Sequence, residues 1–330
     1  MKMIKYNNCN ILTAATVVGK KEADGPLGNC FDLCEYDEYF GQDSFEKAES
    51  EMARRCLNIL FSKANKTHEQ TELILGGDLT SQCTGTSFAV NGTDIPFLGL
   101  YGACSTVAES LLCGGVFVDS GKTSNAVCFA LSHYCTAERQ YRFPLEYGNS
   151  RTPDAQNTVT GCGAFYLTSE KTGIKITEAT IGRIIDRGIS DANNMGAAMA
   201  GAAVDTIERY FKMSRYKIDD FDLIITGDLG HEGHSIACEL FERKDMIMHG
   251  KYEDSGRLIY DSEAQDMHSG GSGCGCLATV LGGYLIPKLK RGEYMRILAV
   301  GTGALLNKNS ALQSRTIPSI AHAVCIESEA

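Results

Sequence analysis

Apolar and polar positions follow two rhythms along this chain: short unbroken apolar runs, and longer stretches whose apolar residues recur at helical spacing. Residues 1–45 hold Gly25-Pro26-Leu27-Gly28 and the acidic, aromatic piece Tyr36-Asp37-Glu38-Tyr39-Phe40. They read as a strand and a surface loop. Residues 44–63 set charges on one face and Met52, Ala53, Leu57, Ile59, Leu60 and Phe61 on the other, behind Ser44 as a cap. That is the pattern of an amphipathic helix, whose apolar face must pack on a sheet. Residues 72–79, 96–100 and 126–131 are apolar enough to supply it. Helices alternating with such runs predict an α/β fold with a mixed sheet covered on both faces.

The second half repeats the first. Leu73-Ile74-Leu75-Gly76-Gly77-Asp78-Leu79 returns as Leu223-Ile224-Ile225-Thr226-Gly227-Asp228-Leu229. A helical pattern precedes each, residues 44–63 in one case and 193–211 in the other. Gly102-Ala103-Cys104 before an apolar helix is matched by Gly273-Cys274-Gly275-Cys276 before another. Residues 126–131 then match 296–300, and 161–167 match 321–326. Four matches in one order predict two similar α/β halves, residues 1–170 and 171–330, each of ordinary domain size.

Composition narrows the function. At 330 residues, 43% hydrophobic and 22% charged, the chain is long enough for one large core or two smaller ones. Its formal charge of −10, with no run of Lys or Arg, argues against nucleic acid as a partner. The first residues lack an apolar signal region, and no stretch approaches the roughly 20 apolar residues of a membrane span, so neither a signal peptide nor a spanning helix is expected. The 14 cysteines sit inside apolar runs, as Cys113, Cys128 and Cys325 do, and read as reduced, packed thiols. Cys30 with Cys34 and Cys274 with Cys276 lack metal-site spacing, and Asp228, His231 and His234 read as a solvated Gly-rich loop. No metal or cofactor is called for.

One stretch stands apart. Pro96-Phe97-Leu98-Gly99-Leu100-Tyr101-Gly102-Ala103-Cys104-Ser105-Thr106 reads as a strand that turns at a glycine and delivers Cys104 to the start of a helix. Helix-start N–H groups favour a thiolate and can hold an anion beside it. Cys104 is therefore a nucleophile for acyl transfer, part of a carboxylate-binding pocket, or a buried structural cysteine.

A duplicated α/β chain with a strand–Cys–helix elbow in one half and a Gly-rich turn in the same place in the other resembles the thiolase-like superfamily. The set Gly25-Pro26-Leu27-Gly28, residues 96–106, Thr136-Ala137-Glu138-Arg139-Gln140, Thr226-Gly227-Asp228-Leu229 and Gly270-Gly271-Ser272-Gly273-Cys274 is similar to a family of dipicolinic-acid-binding sporulation proteins within it. The resemblance implies two duplicated halves with mixed five-stranded sheets, layered αβαβα. It also implies a choice between an active thiolase or ketoacyl-synthase-like acyltransferase using Cys104 and a non-catalytic binder of dipicolinic acid. Where ketoacyl synthases present a His base this chain has Thr226-Gly227-Asp228, and their Asn is matched by Gly271. Both places look vacant, unless His268, His231 or His234 supplies a base.

A doubly anionic ligand needs donors for two carboxylates. The ligand-binding candidates are Cys104, His133, Arg139, Asp228, Gly273 and Cys276: two helix starts, a His and an Arg after a core strand, and an acid able to orient His133. For Arg139 the competing reading is a salt bridge to Glu138 or Glu146. The resemblance further implies a homodimer paired through residues 126–131 as the first-half edge strand. It implies dipicolinic acid as partner, with calcium as a possible companion, and integral membrane proteins of the same sporulation machinery. The expected address is peripheral, on the cytoplasmic face of the forespore or spore inner membrane.

Overall fold

The computed structural model describes residues 3–141 and 151–329. Its main strands fall into two sets. The first is β1 (Asn10–Val18), β2 (Ile74–Gly77), β3 (Phe97–Gly99), β4 (Asn125–Ser132) and β5 (Gly161–Thr168). The second is β6 (Ile174–Thr180), β7 (Leu223–Thr226), β8 (Tyr252–Asp254), β9 (Arg296–Ala304) and β10 (Ser319–Ser328). Hydrogen bonding runs β8-β7-β9-β10-β6-β1-β5-β4-β2-β3. Since β1 and β6 meet only where Asn10 faces Lys175, this path is two five-stranded sheets set edge to edge.

The sheets are copies of one another. In the first, β2 is parallel to β3 and β4, and β5 is antiparallel to β4 and β1. In the second, β7 is parallel to β8 and β9, and β10 is antiparallel to β9 and β6. The duplication read from Gly77-Asp78 and Gly227-Asp228 is thus a duplication of topology.

The main helices are α1 (Phe45–Ala64), α2 (Thr106–Asp119), α3 (Tyr134–Tyr141), α4 (Met195–Met213), α5 (Gly230–Glu242) and α6 (Cys274–Thr279). The last continues through a π turn, Val280–Leu285, to Ile286–Lys290. Ser44 caps α1 by accepting from the Lys47 N–H, and Asn194 caps α4 by accepting from the Ala197 N–H. Strand alternation decides which helix meets which face. Val127, Phe129 and Leu131 of β4 join Met52, Leu57 and Leu60 of α1, whereas Ala126, Cys128 and Ala130 join Val107 and Leu111 of α2, Leu277 of α6 and Leu281 of the π turn. On β9, Leu298 and Val300 pack with Met199, Val204 and Ile207 of α4, and Ile297 and Ala299 face the central layer. The order is helix, sheet, helix, sheet, helix, with α2 and α6 in the middle. Each fully buried Leu, Ile or Phe contributes about 1.5–3 kcal/mol.

Two expectations are corrected. Residues 126–131 do not form the sheet edge, because β4 lies between β2 and β5 and is hydrogen-bonded on both sides. An unbroken apolar run reports two covered faces and says nothing of a strand's lateral position. The edge of the first sheet is β3, where Leu98 is 42% exposed. His231 and His234 lie on α5 and not on a loop. The start of α5 is held by Asp254, whose carboxylate accepts from the Leu229 and Gly230 N–H groups at 2.9 Å. A cap supplied from another strand leaves no local signal. Among the described residues, no helix is long and apolar enough to cross a membrane.

Candidate functional site

Beyond β3 the chain turns at Ala103, which takes a left-handed φ of 50°, and a short 3-10 turn, Ala103–Ser105, carries Cys104 into α2. The turn rests on Gly303 at the end of β9, where a Cβ would lie 2.6 Å from the Gly102 carbonyl oxygen. The strand pattern therefore puts Cys104 between the sheets, at the junction of the two halves.

Asp228 meets it there from the end of β7. Its carboxylate accepts from the Thr302 hydroxyl at 2.6 Å and from the Gly273 N–H at 3.1 Å, with the Cys104 thiol and the Ser272 hydroxyl as further donors. Burial pushes its carboxyl up to about 6, against the pull of those hydrogen bonds. Behind it, Asp254 accepts from the Thr226 hydroxyl at 2.7 Å and from the Leu229, Gly230 and Gly256 N–H groups. Burial, and more weakly the charge of Asp228, pushes Asp254 up to about 7. The Cys104 thiol is pushed well above the usual thiol range by burial, then by the charge of Asp228. The helix start was expected to favour a thiolate; burial beside a carboxylate overrides it.

Cys104 opens on a pocket of about 80 Å³. Ala103, Thr158, Ser272 and Tyr141 line it, together with Asn193 and Met195, where α4 begins. The Leu79 wall is latched by Gln140 and Tyr141, which donate to the Leu79 carbonyl oxygen at 2.8 and 2.7 Å. Among the described lining residues Glu138 is the charged one, and none is Lys or Arg.

Of the residues singled out in the sequence, the structure brings Cys104, Asp228 and Gly273 together. Gly273 takes a φ of 102°, and a Cβ there would lie 2.7 Å from the Ser132 Oγ. Its N–H is spent on Asp228, and the Gly275 N–H on Ser132 Oγ, so the start of α6 is satisfied from within. Cys276 lies inside the first turn of α6, fully buried, its thiol pushed up by burial and then by Asp228 and Asp254.

His133 and Arg139 are elsewhere. The His133 Nε2–H donates to the Glu38 carbonyl oxygen at 2.9 Å, and Nδ1 accepts from the Cys135 N–H at 3.2 Å. The ring is neutral, burial holds its pKa down, and it lines a separate hollow of about 20 Å³ with Lys20, Lys21 and Glu22. Asp228 does not orient it; the carboxylate oxygens are engaged by Thr302 and Gly273. Arg139 forms an ion pair with Glu46 at 2.7 Å at the surface. The partner comes from α1, and Glu146, the other candidate, lies outside the described residues.

The histidines considered as replacement bases are also engaged away from Cys104. The His268 Nδ1 lies 2.7 Å from the Thr152 carbonyl oxygen, and His231 and His234 flank Arg257. Sequence reasoning missed Thr302, Ser272, Thr158 and Tyr141. Thr302 left a trace, a hydroxyl between two glycines at the end of an otherwise apolar strand.

Fold and site define a thiolase-like protein whose elbow cysteine faces a buried carboxylate. Solved structures with this fold include 3-oxoacyl-[acyl-carrier-protein] synthase III from Aquifex aeolicus VF5, 15% identical with a TM-score of 0.57 over 97% of this chain and 99% of that one. A variant of OleA from Xanthomonas campestris is 12% identical with a TM-score of 0.60, covering 99% of both chains. At such identities the likeness is one of fold. A family model described as Stage V sporulation protein AD matches residues 2–327, and the chain belongs to that family. It is 41% identical over 316 residues to Stage V sporulation protein AD of Bacillus subtilis (strain 168), covering 96% of this chain and 93% of that one.

Proposed function

We propose that this sporulation protein binds dipicolinic acid without transforming it, at the Cys104 pocket, for uptake into the developing spore. The observation that carries the non-catalytic part is the pairing of Cys104 with Asp228. A nucleophilic cysteine needs a neighbour that accepts its proton or stabilises its thiolate. Here burial and the negative charge of Asp228 both disfavour the thiolate and hold the thiol in its protonated form. With no histidine hydrogen-bonded to Cys104 among the described residues, the step that opens acyl transfer has no driving group.

The pocket supports a small, flat ligand held by shape against Thr158, Ser272 and Tyr141. Gly273 and Cys276 stand at the start of α6, next in the chain to the lining residue Ser272, and His133 and Arg139 are left out of the pocket. With Glu138 on the wall and no Lys or Arg among the described lining residues, the calcium chelate is a suitable form of the ligand as well as the free acid. The address is the cytoplasmic face of the forespore or spore inner membrane, reached through other stage V sporulation A membrane proteins. The assembly is a homodimer paired through β3, whose exposed edge carries Leu98.

The alternative, an active acyltransferase using Cys104, draws on the enzymes that share the fold. Two measurements separate the readings: titration of the purified chain with dipicolinate, and intact mass after challenge with acyl-CoA. Saturable binding with an unmodified chain supports the proposal. A stable acyl adduct on Cys104 that passes to a second substrate overturns it.

A further inference from the structure

Asp228 constrains the charge of whatever occupies the neighbouring pocket. It is fully buried, and every hydrogen bond it accepts comes from a neutral donor: the Thr302 and Ser272 hydroxyls, the Gly273 N–H and the Cys104 thiol. Among the described residues, the titratable groups packed around it offer no compensating cation. Cys104, Cys274 and Cys276 are thiols pushed up by burial, and Asp254 is a second buried acid. Asp78 and Glu49, whose charges also bear on Cys274, are acids too, and Glu138 stands on the pocket wall. Asp78 is saturated by the N–H and hydroxyl groups of Thr80 and Thr86. Glu49 is fully buried, and burial pushes its carboxyl well above the usual carboxylate range.

A dicarboxylate seated on Cys104 and Ser272 adds two negative charges to this dry, acid-lined region, where like charges are weakly screened. Asp254 stands behind, whereas Asp228 is the acid in contact with the pocket-lining Cys104 and Ser272, so its charge is the one a ligand there meets first, and it is half protonated near pH 6 before any ligand arrives. We propose that Asp228 sets the charge state in which the site takes its ligand: a free dicarboxylate enters together with one proton from solvent, which is held on the Asp228 carboxyl. The charge balances as one anionic carboxylate, one proton and one dianion going to a neutral acid beside a bound dianion. One carboxyl oxygen keeps the Gly273 N–H while the other carries the proton.

The inference rests on the dicarboxylate reading above and is separable from it. Linkage fixes its form: affinity is nearly flat below about pH 6 and falls as pH rises, approaching about tenfold per pH unit. The test is calorimetric titration of the full chain with dipicolinate, without calcium, at pH 7.5 in phosphate and in Tris, buffers of different ionisation enthalpy. The expected result is an apparent enthalpy that differs between the buffers by about one proton taken up per ligand. In Asp228→Asn that difference should vanish and the affinity should become nearly independent of pH between 6 and 8. Since the wild-type comparison needs no variant, a poorly folded Asp228→Asn leaves the test intact. Binding with identical enthalpies in both buffers overturns proton entry and leaves dicarboxylate binding standing. Absence of binding from pH 5 to pH 8 removes both.

Discussion

Replacing Asp228 with asparagine should change the stability of this protein in a way that depends on pH. The wild-type carboxyl is held at about 6 in the folded chain against an ordinary value of 3.8, and burial is the largest cause. Folding thus favours the protonated form, so the Asp228 contribution is fully present below about pH 4 and is lost as pH rises through 6. The whole difference corresponds to about 3 kcal/mol, of which about 2 kcal/mol falls between pH 4.5 and 7.5. Asparagine has nearly the same shape and no charge. Whatever its amide costs in hydrogen bonding to Thr302 and Gly273 is the same at both pH values. Urea unfolding of wild type and variant at pH 4.5 and 7.5 isolates the charge as the change in their stability difference. The variant should gain about 2 kcal/mol relative to wild type at the higher pH. Parallel stability curves would refute the reasoning and show that the carboxylate is ionised without penalty.

Cys104→Ser should keep dipicolinate affinity within a few fold, since the thiol contributes shape and a weak hydrogen bond, while Cys104→Phe should fill the pocket and abolish binding; calorimetric titration reads both. Arg139→Ala should leave affinity unchanged and shift stability by no more than about 1 kcal/mol, because its ion pair with Glu46 is exposed; a tenfold loss of binding would return Arg139 to the site. Leu98→Asp, at the open edge of the first sheet, should turn a dimer into a monomer by light scattering at micromolar concentration, and an unchanged mass would move the interface elsewhere.

The architecture was legible because it is written twice. Matching runs around Asp78 and Asp228, and matching turns at Cys104 and Cys274, are local patterns that a linear reading detects, and each became an equivalent element of the two sheets. Cys104, Asp228 and Gly273, which the structure brings together, stand out in the sequence for the same reason, since each ends or begins a recognisable apolar run. What the sequence hid is lateral and long-range. It did not show that β4 is interior, because burial on two faces looks the same at a sheet's centre and edge. It did not show that Glu46, far back on α1, takes Arg139, or that the Glu38 carbonyl takes His133. Polarity just past a strand marked both residues as pocket candidates, yet α3 turns Ala137, Glu138 and Tyr141 toward the pocket instead. Nor did helix-start geometry predict the state of the Cys104 thiol, which depends on a carboxylate from the other half.

On the function proposed, the Cys104 pocket holds dipicolinate intact. A crystal structure of the protein with dipicolinate tests it most directly. The predicted result is ligand density against Cys104, Thr158, Ser272 and Tyr141, with the sulfur unmodified. Density in the hollow beside His133, Lys20 and Lys21, or an acyl group joined to the Cys104 sulfur, would contradict it.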